Sequence, residues 1–108
     1  MVDQVLAELA EKINNNPAGI QGFNAVFTFD LSGEQGGVYQ VKFQDNTVQY
    51  QKEALGNSKC TLILSDSNFV KLIKGDLNPT TAFMMGKLKV KGDLSLSLKL
   101  QAVLKNYQ

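Results

Sequence analysis

Apolar residues recur at spacings of three and four at the start of the chain, at every second position through the middle, and in mixed patterns toward the end. Val2, Val5, Leu6, Leu9, Ala10 and Ile13 share one helical face, with Asp3, Glu8, Glu11 and Lys12 largely on the wet side. Asn14-Asn15-Asn16-Pro17 stops this helix, because Asn accepts turn geometry and Pro disfavours helix in the residue before it. The alternation then changes to period two. Phe23, Ala25, Phe27, Phe29 and Leu31 alternate with Asn24, Val26, Thr28 and Asp30, and after a turn over residues 32–37, Tyr39, Val41 and Phe43 alternate with Val38, Gln40 and Lys42. Gln44-Asp45-Asn46 reverses the chain into Thr47–Tyr50, and a looser segment around Leu55-Gly56-Asn57-Ser58 leads to a further strand at Cys60–Leu64. Connections this short predict antiparallel neighbours, hence a meander with one apolar and one polar face.

Helices to cover the apolar face follow. Ser65 or Asp66 can cap a helix carrying Phe69, Val70, Leu72 and Ile73, with Lys71 and Lys74 near its end and Gly75 beyond it. Asn78-Pro79 begins a short helix holding Ala82, Phe83, Met84 and Met85, since Pro at the first helical position gives up an N–H that has no partner there anyway. Gly86 ends it, Leu88 and Val90 alternate with lysines as in a fifth strand, and Gly92-Asp93 starts a last helix. From Leu94 to Leu100, leucines alternate with Ser95, Ser97 and Lys99, which alone reads as strand. The Asp93 cap, the weak strand propensity of leucine and the continuation through Ala102-Val103-Leu104-Lys105 favour helix. The fold class expected is therefore α+β, with a single five-stranded, antiparallel-rich sheet covered by helices on one face.

As a helix, residues 94–107 carry two apolar arcs: Leu94, Leu98 and Ala102 on one, and Leu96, Leu100, Val103, Leu104 and Tyr107 on the other. Covering a sheet needs only one. The second must meet a bound apolar ligand, another helix or a partner chain. Met84 and Met85 beside Phe83 suit a ligand of variable shape, and equally a filled core, because both require the same residue types.

Composition narrows the function classes. The 108 residues suffice for one core and one domain, 1–108, and 44% hydrophobic residues describe a folded globule. Eleven basic and ten acidic residues give a net charge of +1, which makes no electrostatic case for nucleic acid. No apolar run reaches the roughly 20 residues of a spanning helix. Transient membrane contact through the first helix is a secondary expectation, weakened by its acidic polar face. With a single cysteine, Cys60, no internal disulfide forms, and a reducing compartment is the default.

Catalytic readings find little support. There is no histidine, the usual general base and commonest metal ligand. Cys60 lies in an apolar strand without a base to activate it. Asp66, Asp76 and Asp93 read as caps and turn residues, and Gly33, Gly36 and Gly37 join two strands with no helix after them to cradle a phosphate. No catalytic residue, metal site or cofactor is expected. Lys87, Lys89 and Lys91 occupy alternate strand positions on one face; such a face is usually solvated, or else attracts a carboxylate, a coenzyme A phosphate or an anionic membrane.

Gly75–Gln101, reading GDLNPTTAFMMGKLKVKGDLSLSLKLQ, resembles the closing motif of the sterol carrier protein type-two domain family, and especially the version fused to the peroxisomal multifunctional enzyme of β-oxidation. The similarity extends over nearly the whole chain. The resemblance implies an apolar tunnel enclosed between helices and sheet, and non-catalytic binding and carriage of a long-chain lipid: fatty acid, fatty acyl-CoA or a sterol-like ligand. By that likeness the last helix and the helix bearing Phe83 and Met84 close the tunnel against the sheet, and Gln101 matches a family Gln that can orient a head group; the wall expected here is Phe69, Ile73, Phe83, Met84, Leu94, Leu98, Gln101 and Leu104. Some relatives carry a second Gln where this chain has Leu98, which makes the expected tunnel more apolar. Lys105-Asn106-Tyr107-Gln108 lacks the small-basic-leucine tripeptide that addresses peroxisomes, so a cytoplasmic, free-standing relative is expected, monomeric or weakly homodimeric. The competing expectation is a protein-interaction or dimerisation module that docks through the second apolar arc of the last helix.

Overall fold

The computed structural model describes residues 1–53 and 58–108. In chain order these form helix α1 (Val2–Asn15), a 3-10 turn (Pro17–Ile20), strands β1 (Ala25–Ser32), β2 (Gly37–Gln44), β3 (Thr47–Gln51) and β4 (Cys60–Ser65), helices α2 (Asp66–Lys74) and α3 (Pro79–Met84), strand β5 (Lys89–Gly92) and helix α4 (Leu94–Lys105). The fold is the α+β arrangement expected, with one five-stranded, mostly antiparallel sheet and four α-helices.

Strand order is β3-β2-β1-β4-β5. The first three strands form the expected antiparallel meander. Asp45 and Asn46 turn β2 into β3 with φ of 54° and 60°, the double left-handed geometry of a tight hairpin that Asp and Asn tolerate. The pairing of β4 departs from expectation: it lies beside β1 and runs parallel to it. The rule that short connections make antiparallel neighbours applies to strands adjacent in the sheet, and β3 and β4 are not. What sets the pairing is face matching, because the register aligns Cys60, Leu62 and Leu64 with Phe27, Phe29 and Leu31, all buried. Of the loose segment read before β4, Leu55, Gly56 and Asn57 lie outside the described residues; Ser58 pairs its hydroxyl with that of Thr28 at 2.6 Å.

Two further details differ from the alternation. Phe23 precedes β1 and packs its ring on Phe27 and Phe43. On the nominally polar face, Thr28 and Gln40 oppose each other across β1 and β2, and both are buried.

The helices lie on the other face. All of Val2, Val5, Leu6, Leu9 and Ile13 are buried, so the α1 stripe is spent inside the domain, over β3 and against α2. At the end of α1, the Asn14 amide donates to the Val48 carbonyl at 3.1 Å and accepts from the Val48 N–H at 2.9 Å. It thereby satisfies a backbone position on the outer edge of β3, blunting a site for unwanted strand pairing. Ser65, not Asp66, is the α2 cap, accepting from the Asn68 N–H, and Gly75 closes that helix at φ 85°.

The C-terminal end of α4 is pinned hard. Tyr107 donates its hydroxyl to the Asn16 carbonyl at 2.7 Å and accepts from the Gly19 N–H at 3.1 Å, while Gln108 donates to the Leu72 carbonyl at 3.1 Å. These bonds tie the last residues to the 3-10 turn and to α2, and leave α3 and the N-terminal half of α4 as the least covered part of the helical layer.

Candidate functional site

The α3-β5-α4 passage is positioned by caps. Asn78 accepts from the N–H groups of Thr80 and Thr81 at 2.9 and 3.2 Å, and Pro79 occupies the first helical position. At the β5–α4 corner Gly92 has φ 92°, and a Cβ there would run into the Lys59 carbonyl oxygen, so the sharp entry into α4 requires glycine. Asp93 then caps α4, accepting from the Ser95 N–H at 2.9 Å. The alternating leucines are thus helical, as the cap indicated.

The protonation of the Asp93 carboxyl is biased by its capping contacts. The Ser95 hydroxyl chiefly, then the backbone N–H groups of Ser95 and Leu96 and the Lys99 ammonium, outweigh partial desolvation and hold its carboxyl below the usual 3.8. A carboxyl with a lowered folded-state pKa contributes stability above its unfolded pKa and loses it as pH falls through the folded value. Chemical-shift titration of Asp93 is therefore expected to give a midpoint below that of an unstructured aspartate. Asp93→Asn should make the thermal midpoint less sensitive to acid over that window; unchanged sensitivity would contradict the assignment. Burial pushes the Cys60 thiol up, and the Asp93 carboxylate adds to it, so Cys60 is a core thiol and not an activated nucleophile.

Between this passage and the sheet lies an apolar cavity of about 150 Å3. Its floor is Leu62 of β4, Leu88 and Val90 on the β5 side, and Leu72 of α2; its roof is Pro79, Thr80 and Phe83 of α3; and α4 supplies Leu94, Ser97, Leu98, Leu100, Gln101 and Leu104. Polar groups on the wall are few. The Ser97 hydroxyl is used internally, donating to the Leu94 carbonyl at 2.7 Å. The half-buried Gln101 side chain has no hydrogen-bond partner among the described residues.

Of the eight wall residues expected from the sequence, the structure brings Phe83, Leu94, Leu98, Gln101 and Leu104 together around this cavity. Phe69 lies elsewhere: it is fully buried, its ring packed edge-on to Phe29 at 5.0 Å. Ile73 is buried on the α1 side of α2, near Val5, Leu9 and Tyr107. Met84 is 80% exposed. Leu62, Leu72, Leu88, Val90 and Leu100 were not singled out as wall residues. The alternation of Leu88 and Val90 marked a shared face, but only the sheet order reveals that this edge lies beneath α3 and α4.

The two apolar arcs of α4 have separate fates. Leu100, Val103, Leu104 and Tyr107 are buried, while Leu94 and Leu98 are 51% and 58% exposed at the mouth of the cavity, beside Phe83 at 49%. A second depression, lined by Asp76, Asn78, Lys105 and Gln108, shares Leu72, Pro79, Gln101 and Leu104 with the first and gives it a polar neighbour. Among the described residues no group of three or more His, Cys, Asp or Glu side chains could hold a metal ion, and no helix is long and apolar enough to cross a membrane.

Known proteins share both the sequence and this architecture. The chain is 37% identical over 87 residues to hydroxysteroid dehydrogenase-like protein 2 of Bos taurus, covering 79% of this chain and 21% of that protein. It is 37% identical over 89 residues to the peroxisomal multifunctional enzyme type 2 of Mus musculus, covering 78% of this chain and 12% of the enzyme. The match therefore spans about a fifth or less of these relatives' length. Among solved structures, sterol carrier protein domain 2 of Helicoverpa armigera superposes with a TM-score of 0.80 at 25% identity, covering 95% of this chain and 84% of that one. Residues 3–105 match the family as a whole, and with the mixed sheet, the helical layer and the apolar cavity they establish that this chain belongs to the SCP-2 sterol transfer family.

Proposed function

We propose that this chain, a lipid-binding domain by family, takes up and carries a long-chain lipid without altering it chemically: a fatty acid, a fatty acyl-CoA or a sterol-like molecule. The observation that carries this reading is the apolar cavity under α3 and α4 with an exposed apolar rim. At about 150 Å3 the cavity is smaller than the roughly 300–1,000 Å3 of a typical small-molecule site. A long ligand must extend into the rim or lift the roof to form a tunnel. The roof suits that role, since Ala82 is the one residue of the six-residue α3 that is buried. Each methylene removed from water contributes roughly 0.8 kcal/mol, so even partial burial of a chain gives useful affinity without a charged clamp.

Phe83, Leu94, Leu98, Gln101 and Leu104 are the proposed ligand contacts, with Met84 joining when the ligand extends over the rim. A reducing compartment such as the cytoplasm fits the buried free Cys60. Native mass spectrometry should show co-purified or added lipid on the protein, and unlabelled fatty acid should displace cis-parinaric acid. Apoprotein alone, with no parinaric acid signal, would rule the proposal out. The exposed Leu94 and Leu98 also favour a second reading, a docking or dimerisation module. Concentration-dependent self-association without lipid uptake would support that reading instead.

A further inference from the structure

The lysines of β5 belong to no part of the cavity. β5 forms one edge of the sheet, with β4 on one side and, among the described residues, no strand on the other. The register pairs Thr61 with Lys91 and Leu62 with Val90, and the Asp93 N–H donates to the Lys59 carbonyl at 2.7 Å. In an antiparallel ladder that bond makes Thr61 and Lys91 a hydrogen-bonded pair, and Leu62 and Val90 the open pair next to it. The Val90 N–H and C=O therefore point away from β4, toward the free edge, and no described group bonds to them there. This open stretch has defined ends: the Leu88 N–H turns back to the Ala82 carbonyl at 3.2 Å, and the Asp93 N–H to Lys59. The opposite edge of the sheet is treated differently. There the Asn14 side chain occupies both the N–H and the C=O of Val48.

We infer that the free edge of β5 accepts an extended acidic peptide, which would join the sheet as an added strand through the Val90 N–H and C=O, with its carboxylates beside Lys89 and Lys91. Side chains alternate along β5: Val90 faces the helical layer and lines the cavity, while Lys89 and Lys91 project from the open face of the sheet. Both lysines are exposed, and neither has an ion pair among the described residues. Their cross-strand neighbours on β4, Ile63 and Thr61, supply no carboxylate. A strand laid along this edge would put every second side chain next to a lysine, where Glu or Asp is favoured, and the others on the face of Val90, where apolar residues are. The same lysines select against other occupants. Two copies of β5 paired edge to edge would bring Lys89 and Lys91 against their counterparts, so like charge opposes self-assembly. An anionic bilayer would meet the charges but leave the Val90 N–H and C=O unpaired, whereas a peptide strand satisfies both. Binding there does not depend on lipid carriage, because it uses the outer edge and open face of β5 and not the cavity.

The test is fluorescence anisotropy of the full chain with a labelled hexapeptide of alternating Glu and Val, beside a Lys–Val hexapeptide and a Glu–Pro one that lacks half the N–H groups. Binding of the Glu–Val peptide is expected, weakening as salt rises, and of neither of the others. Amide hydrogen exchange should show the Val90 N–H becoming protected when the peptide is bound, a change that charge attraction alone does not produce. Lys89→Gln with Lys91→Gln should weaken binding about tenfold, and Lys89→Glu with Lys91→Glu should transfer the preference to the Lys–Val peptide. Lys12→Gln on α1 should have no effect, and parinaric acid uptake should be the same in all these variants. No anisotropy change with the Glu–Val peptide, binding that leaves Val90 exchange unaltered, or equal binding of the Glu–Pro peptide would overturn the inference. So would a dimer on sedimentation in which Val90 is protected without any peptide.

Discussion

Phe69→Ala is expected to cost about 3–5 kcal/mol of folding stability, because it empties a fully buried site against Phe29 that the surrounding sheet and α1–α2 layer cannot close. For a domain of this size that corresponds to a fall of roughly 15–30 °C in Tm. Since the total stability of such domains is only about 5–15 kcal/mol, Phe69→Leu provides a milder companion, expected to lose on the order of 1 kcal/mol. Both are measured by thermal and urea unfolding alongside parinaric acid titration at low temperature. The folded fraction of each should retain its lipid affinity, because Phe69 is not on the cavity wall. Normal stability with lost lipid binding would return Phe69 to the ligand.

The second large effect is expected on binding rather than stability. Ser97 faces the cavity from the middle of α4 and is only half-buried, so a phenyl ring there can enter the space beneath α3 without displacing core side chains. Ser97→Phe should leave the unfolding midpoint within a few degrees of the parent. If the ring excludes about four methylenes, the loss at ~0.8 kcal/mol each is roughly 3 kcal/mol, on the order of a hundredfold in Kd. Parinaric acid titration reads this directly. Unchanged affinity would mean that the ligand lies elsewhere, whatever the family.

These two substitutions also mark where sequence reading reaches its limit. Phe69 and Ser97 were both visible as helical residues. Phe69 was expected on the wall as a large apolar residue of a helix covering the sheet, and nothing singled out Ser97. A hydrophobic pattern reports which face of an element avoids water, not what that face meets. Phe69 and Ile73 meet the core and α1; Leu94 and Leu98, of the same chemical type, meet a cavity mouth. The difference lies in the neighbours of each helix, which come from other parts of the chain.

Local chemistry was legible wherever the cause was itself local. The α1 stripe, the Asn78 and Asp93 caps, the Gly75 terminus and the Asp45-Asn46 reversal each depend on a few adjacent residues, and all are readable from the sequence. The Gly75–Gln101 motif was sufficient to indicate the family. Tertiary structure alone decided that β4 inserts beside β1 in parallel, because that choice depends on matching apolar faces between strands nearly thirty residues apart. The same choice brought β5 and Leu62 beneath α3 and α4, and so created the cavity. The chain by itself determined its four α-helices and five strands, the Asn78 and Asp93 caps and a surplus of apolar surface on the last helix. Only the packed sheet decided that part of this surplus closes the core and the rest stands open at a cavity mouth, because burial is a property of pairs of surfaces and a sequence pattern describes one surface at a time.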